Sequence, residues 1–470
     1  MAVDLSGYRE LIASKKISFE PHGFADFDES MLPDDMFPHQ KHATAFALRA
    51  GSAAQFLDTG LGKTYCALAW GNEVVRRTNK PVLMLAPLAV AAQHLSEAEH
   101  FGIDAVASRE GATPSSPKIA VTNYERLDKF DPSDYAGVIL DESSILKSFT
   151  GVTTRKLIEA FSSTPYRLAC TATPAPNDHM ELGQHSEFLG VLSQSQMLTR
   201  WFIHDSANTG TWRMKGHAVT DFWDWVASWA RCISKPSDIG FSDAGFDMPE
   251  LIQHKHIVKA DRSENSGGEK DGQMRLFRIP DTSATSIHNE KRLTSDARAE
   301  KIAEVISAEP NESWIIWCDT DYEADALKAS LPDAVEVRGS MSIDQKEERL
   351  AGFTNGSIKQ LITKPRIAGY GLNWQHCARV AFVGLSFSYE NYYQAVRRCW
   401  RFRQHRDVHV HIACSDTEAS IWDAIQRKAG DHTKMRKAMI AAMRRSAISV
   451  NEYSIYDPKQ EACLPAWLSA

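Results

Sequence analysis

The run FLDTGLGKTYCAL sets Gly60, Gly62, Lys63 and Thr64 between a short apolar stretch and a segment of helical period. In a strand, loop and helix placed in that order, glycines let backbone N–H groups wrap phosphate oxygens. A lysine adds a point charge at the β and γ oxygens, and a threonine hydroxyl reaches Mg2+. These residue types at this spacing point to ATP or GTP, although Leu57 stands where the strict GxxxxGKT spelling has its first glycine. A second group completes the chemistry. AGVILDESS ends an apolar run on Asp141 and Glu142; the first suits Mg2+, directly or through water, and the second can orient and deprotonate an attacking water. A third group, NYYQAVRRCWRFRQ, carries Gln394, Arg398 and Arg401 at i, i+4 and i+7, which on one helix would share a face. Arginines from a second lobe can stabilise γ-phosphate charge and couple hydrolysis to closure of a cleft.

Such groups need strands to hold them. SAAQFLDT, VLMLAPL, KIAVTNY, AGVILDE and YRLACTAT are short β-branched or apolar runs, each followed by a stretch of helical period. SWIIWCD, KQLIT, ARVAFVGL and VHVHIAC repeat the plan after residue 290, separated by EADALKASL and IDQKEERLAGF. Alternation of this kind reads as βαβ units and a parallel sheet, twice over. The expected fold is α/β, with two RecA-like parallel-sheet lobes and a helical insertion between them. The boundaries expected are a flank over 1–36, lobe one over 37–185, an insertion over 186–285, lobe two over 286–416, and a basic helix and tail over 417–470. The insertion is marked by Trp201, Trp212, Trp223, Trp225 and Trp229 and by the polar run RSENSGGEKDGQMR, read as a flexible loop. DFWDWVASWARC puts Phe222, Trp225, Val226 and Trp229 at helical spacing, a packed face in preference to a base-stacking platform. QRKAGDHTKMRKAMIAAMRRSA is a basic helix with Met435, Met439, Ile440 and Met443 on or near one face.

Bulk properties bound the rest. A chain of 470 residues exceeds one ordinary core. With 43% hydrophobic and 24% charged residues it has globular composition, and no apolar run reaches the roughly 18 residues that span a bilayer. The first twenty residues lack a secretory pattern, so a cytoplasmic site is expected, without a membrane. Eight scattered cysteines without CxxC pairs read as reduced core thiols. A formal charge of −7 leaves a polyanion to be held by local basic patches rather than by the whole surface.

In their order from about residue 37 to 412, these segments resemble the Swi/Snf-type branch of the superfamily-two helicase-like ATPases. FPHQ looks like the family's adenine-reading segment, with Gln40 as the base contact, and DTGLGKT like its nucleotide loop, which adds Thr59 to Gly60, Gly62, Lys63 and Thr64. LAPLAVAAQH and VTNYERL resemble two segments implicated in nucleic-acid contact and lobe coupling. VILDESSILKS is similar to the acidic motif, with Ser143 and Ser144 replacing the common Ala-His. CTATPAPN resembles the coupling motif, matched at Thr171, Thr173, Pro174 and Asn177. In the second half VRGSMSIDQKEERLAGF resembles a glycine-serine motif. KPRIAGYGLNWQ there matches at Gly369, Gly371 and Asn373, and QAVRRCWRFRQ at Arg398, Arg401 and Gln404, with Arg403 where glycine is usual. The resemblance implies an ATP- and Mg2+-dependent motor, with Thr64 and Asp141 at the metal and Gly371 near the nucleotide. It further implies a translocase that tracks duplex DNA with little sequence preference, in a minimal bacterial or phage form. The alternatives are a strand-separating DNA or RNA helicase and a non-catalytic nucleic-acid-binding scaffold that recruits a protein through the Trp-rich segment.

Overall fold

A computed structural model describes residues 20–87, 90–148, 151–204, 212–259, 291–369, 372–416 and 418–446. The polar run after residue 261, Cys463 and the expected site residue Gly371 lie outside these. The chain divides into two compact units, residues 1–243 with 432–470, and residues 244–431.

The first unit is built on a seven-stranded sheet in which every pairing is parallel. Its strands are β1 (Ser52–Leu57), β2 (Val82–Ala86), β3 (Ala105–Ala107), β4 (Ile119–Asn123), β5 (Gly137–Asp141), β6 (Tyr166–Cys170) and β9 (Ala230–Ile233), in the order β3-β4-β2-β5-β6-β1-β9. A two-stranded antiparallel ribbon, β7 (Phe202–His204) with β8 (Trp212–Met214), belongs to the same unit. The central strands β1, β2, β4 and β5 are buried at every position, as expected of a parallel sheet with both faces covered. This is why β2 and the first four residues of β5 read as unbroken apolar runs. The register sets Gln55 against Cys170 and Cys170 against Asp141. The loops leaving β1, β5 and β6 therefore emerge side by side at the carboxyl ends of neighbouring strands, where open α/β sheets bind ligands.

The Trp-rich stretch is part of this unit and not a separate insertion. Its helix, Val219–Trp229, buries Phe222, Trp223, Trp225, Val226 and Trp229, and Trp201 stacks on Trp225 with ring centroids 4.6 Å apart. Strand β9 then pairs with β1, Ala54 opposite Ala230 and Leu57 opposite Ile233. With these indoles in the core, the surface expected to recruit a protein partner is not formed by them. The part of the long helix Ala419–Ser446 from His432 onward belongs to this unit. Met435, Met439 and Met443 enter the same core as Trp225 and Trp229, so its apolar stripe is packed and its arginines flank that stripe.

The second unit carries a six-stranded, all-parallel sheet. Its strands are β10 (Leu251–Val258), β11 (Trp314–Trp317), β12 (Val335–Glu336), β13 (Gln360–Thr363), β14 (Arg379–Phe382) and β15 (Val408–Ser415), in the order β10-β15-β14-β11-β13-β12. The expected start of lobe two at residue 286 is thus too late, since β10 precedes it. At one strand end Arg298, fully buried, pairs with Glu323 at 2.9 Å, bonds Thr294 Oγ1 at 3.1 Å and reaches the carbonyls of Lys291 and Val383. A Cβ on Gly384 would lie 2.4 Å from both members of that pair, so the glycine makes room for a charge pair whose lone pairs and protons are satisfied. The seven described cysteines are all buried free thiols. Among the described residues no helix is long and apolar enough to cross a membrane.

Candidate active site

The loop after β1 turns through Gly60 at φ 92° and Gly62 at φ 82°, backbone that favours glycine. A Cβ at Gly62 would displace the end of the Gln40 side chain, so the positive φ is the stronger reason for glycine there. The helix Lys63–Thr78 starts directly after Gly62, so the positive end of the helix dipole lies at the loop, a place that suits an anion. Lys63 donates to the Leu57 carbonyl at 3.0 Å. Gln40 is buried against this loop: Oε1 accepts from the Phe37 amide at 3.0 Å and Nε2 donates to the Leu61 carbonyl at 3.0 Å. The loop is therefore held open and backed by the residue expected to read the base.

Across from it, Asp141 and Glu142 end β5, 6% and 9% exposed. Glu142 has φ 54°, a left-handed backbone unusual for a non-glycine residue. Such backbone strain recurs at functional sites. Thr171 Oγ1 donates to Glu142 Oε2 at 3.3 Å and accepts from the Thr173 amide at 3.1 Å, which joins the coupling motif to the acidic motif. Tyr124 donates its hydroxyl to the Asp141 carbonyl at 2.6 Å. Ser143, in place of the common alanine, meets His185 Nε2 at 3.1 Å, and Asn177 donates to Glu181 at 2.8 Å.

Two residues that spacing did not single out complete this group. His94, on the helix Ala91–His100 that follows β2, places Nε2 2.9 Å from Asp141 Oδ2. Burial opposes charge on both, but their mutual attraction outweighs it. The imidazole is lifted above its ordinary pKa, and His94 and then Lys63 hold the Asp141 carboxyl below the usual range. Arg436, on the C-terminal helix, pairs with Asp58 at 3.0 Å and donates to the Ile233 carbonyl at 3.2 Å. Asp58 also accepts from the Thr59 amide at 2.6 Å, so the base of the nucleotide loop is fixed from both sides. Strand order is the signal for His94, because β2 lies next to β5. Arg436 has only its place one residue after Met435.

The chemistry of this set fits a nucleoside triphosphate with a divalent cation. A helix N-terminus and Lys63 suit phosphate, the buried carboxylate of Asp141 with the Thr64 hydroxyl suits Mg2+, and a carboxylate such as that of Glu142 can take a proton from water. Bound Mg2+ would supply charge neutralisation at the phosphate oxygens.

The arginine cluster in the second unit departs from the expected helix face. The helix Tyr389–Val396 ends before Arg398, and the chain continues in tight turns, Cys399 N to Val396 O at 3.1 Å and Gln404 N to Arg401 O at 3.1 Å. Arg398, 3% exposed, spends Nε and Nη2 on Gln394 and Nη1 on the Leu372 carbonyl, at 3.0, 2.9 and 3.0 Å. Arg401 lies in the following turn, partly exposed. Gln404 Nε2 donates to the Gln375 and Cys377 carbonyls at 2.8 and 3.1 Å. Arg403, at a position where the resemblance implies glycine, sits at φ 69°, a conformation that glycine serves.

Comparison with protein families settles the class. Residues 37–182 match the DEAD/DEAH box helicase model, and residues 297–403 match the helicase conserved C-terminal domain. The chain belongs to the superfamily-two helicase-like ATPases. Each parallel sheet is thereby one RecA-like lobe of this ATPase, and ATP binding follows from the family. No curated protein matches the helicase-like chain. Among solved structures, the Sulfolobus solfataricus SWI2/SNF2 ATPase core in complex with dsDNA aligns over 90% of this chain and 99% of that one. The identity is 16% and the TM-score 0.41, a likeness too weak to bear on fold or function.

His185 gives this helicase-like ATPase a pH dependence of stability. Burial pushes its imidazole from 6.5 down to about 4. The unfolded chain then binds the extra proton between those values, so stability is full above pH 6.5 and falls as pH drops toward 4. The loss expected is about 3 kcal/mol. Urea unfolding between pH 7.5 and 4.5 should show it, and His185→Gln should flatten the profile; parallel profiles for the two proteins would contradict the reading.

Proposed function

We propose that the chain is an ATP-driven translocase that tracks duplex DNA without separating its strands, hydrolysing ATP with Lys63, Asp141 and Glu142 of lobe one. The observation that carries hydrolysis is the joining of the acidic and coupling motifs, Thr171 to Glu142 at 3.3 Å, beside a loop shaped for phosphate. The preference for duplex tracking rests on spelling: TATPAPN, TNYE and Gln404 resemble the Swi/Snf branch.

In this reading Thr64 and Asp141 hold the cation, Gln40 meets the base, and Glu142 takes the proton of the attacking water. Arg398 and Arg401 serve the arginine role from lobe two, Arg398 by bracing the turn that carries Arg401 and the loop beside Gly371. DNA is held through phosphates, so affinity should fall steeply with salt and depend little on sequence. Triplex-displacement and strand-separation assays with ATP test the mode of action. Displacement of a third strand without unwinding of the duplex supports the translocase. Unwinding of a tailed duplex at comparable rate would replace it with a strand-separating helicase.

A further inference from the structure

Four histidines that have no role in the site described above stand together on the lobe-two sheet. His254 and His256 on β10, and His409 and His411 on β15, alternate at i and i+2 and so share one face. The register sets His254 opposite His411. His254 Nε2 lies 2.9 Å from His409 Nδ1, His256 Nε2 lies 3.1 Å from His411 Nδ1, and the rings of His254 and His411 stack at 4.4 Å. One ring nitrogen from each of His254, His409 and His411 lies within 4.8 Å of the other two. His411 is 7% exposed, and its Nε2 has no hydrogen-bond partner.

A buried ring nitrogen without a partner is unfavourable and calls for an occupant. Neutral imidazole is the form that binds metals. Arg379, opposite His409 in the register, is paired with Glu309 at 2.6 Å, which limits its repulsion of a bound ion.

We propose that His254, His409 and His411 bind one divalent late transition-metal ion of the zinc class. Imidazole ligands suit zinc, copper and nickel, whereas magnesium and calcium want the carboxylate oxygens that this cluster lacks. His256 accepts the Nδ1 proton of His411 and so presents His411 Nε2 as a ligand, as outer partners of ligating histidines do. Metal–nitrogen bonds of about 2.0–2.1 Å place tetrahedral ligands about 3.4 Å apart, within reach of small side-chain rotations. The ion would tie the edge strand β10 to β15 and so stabilise lobe two.

The test uses the full chain stripped by a chelator, in millimolar Mg2+ to occupy the nucleotide site, titrated with Zn2+ by equilibrium dialysis and with Co2+ by visible absorption. One equivalent should bind, with a rise in melting temperature and the absorption bands of imidazole-bound Co2+. His254→Gln and His411→Gln should each weaken Zn2+ binding by about tenfold or more while ATP turnover stays unchanged. Asp141→Asn should leave Zn2+ binding intact. The proposal is overturned by absence of the Co2+ bands in the natural chain, by equal Zn2+ affinity in the histidine variants, or by loss of binding in Asp141→Asn.

Discussion

Glu142→Gln is expected to slow ATP hydrolysis by about a hundredfold to ten-thousandfold, the usual worth of a positioned general base. The amide has the shape of the carboxylate, and its oxygen can still accept from Thr171, 3.3 Å away in the natural chain. The left-handed backbone at φ 54° is untouched by the exchange. What is lost is the ability to take a proton from water. ATP affinity should therefore stay within about threefold, because ground-state binding falls to the loop and not to Glu142. Single-turnover hydrolysis and fluorescent-nucleotide binding separate the two quantities. A hydrolysis rate within about threefold of the natural chain would remove Glu142 from the proton-transfer role.

Lys63→Ala is expected to lose both binding and turnover. Its ammonium is the one point charge that the loop aims at the phosphates, and removing such a preorganised donor costs about a hundredfold or more in rate. Its bond to the Leu57 carbonyl at 3.0 Å would pass to the β and γ oxygens when nucleotide binds. Stability should change by less than about 1 kcal/mol, since the side chain is only partly buried and fills no core. A folded variant that binds ATP as tightly as the natural chain would contradict this.

The centre of each lobe was readable because central parallel strands are buried on both faces and so appear as unbroken apolar runs, VLMLA and GVILD among them. Edges were not. Strand β10 carries the polar run Gln253, His254, Lys255 and His256 between two apolar pairs, and β9 has four residues only. Neither gives a strong period before its partner strand is known. The end of the helix at Val396 was equally hidden, because YYQAVRRCWRFR contains no glycine or proline. Tertiary bonds end it: Trp374 donates its amide to the Arg398 carbonyl at 3.0 Å, and Arg398 reaches back to Leu372.

The residues of the phosphate loop and the acidic pair stood out in the sequence because the roles proposed for them need fixed types at fixed spacing. His94 and Arg436 were not, because their partners Asp141 and Asp58 lie 47 and 378 positions away in sequence and meet them only through strand order and a returning helix. The departures at Ser143 and Arg403 acquire a physical meaning. Ser143 finds His185 in space, and Arg403 adopts a glycine-like φ of 69°.

The measurement closest to the central claim is ATP turnover at one fixed salt concentration without nucleic acid and with duplex DNA, single-stranded DNA or RNA. The account predicts slow basal hydrolysis, strong stimulation by duplex DNA of unrelated sequences, and loss of that stimulated rate in Glu142→Gln. Hydrolysis at the same rate with and without every nucleic acid, or stimulation by RNA alone, would contradict it.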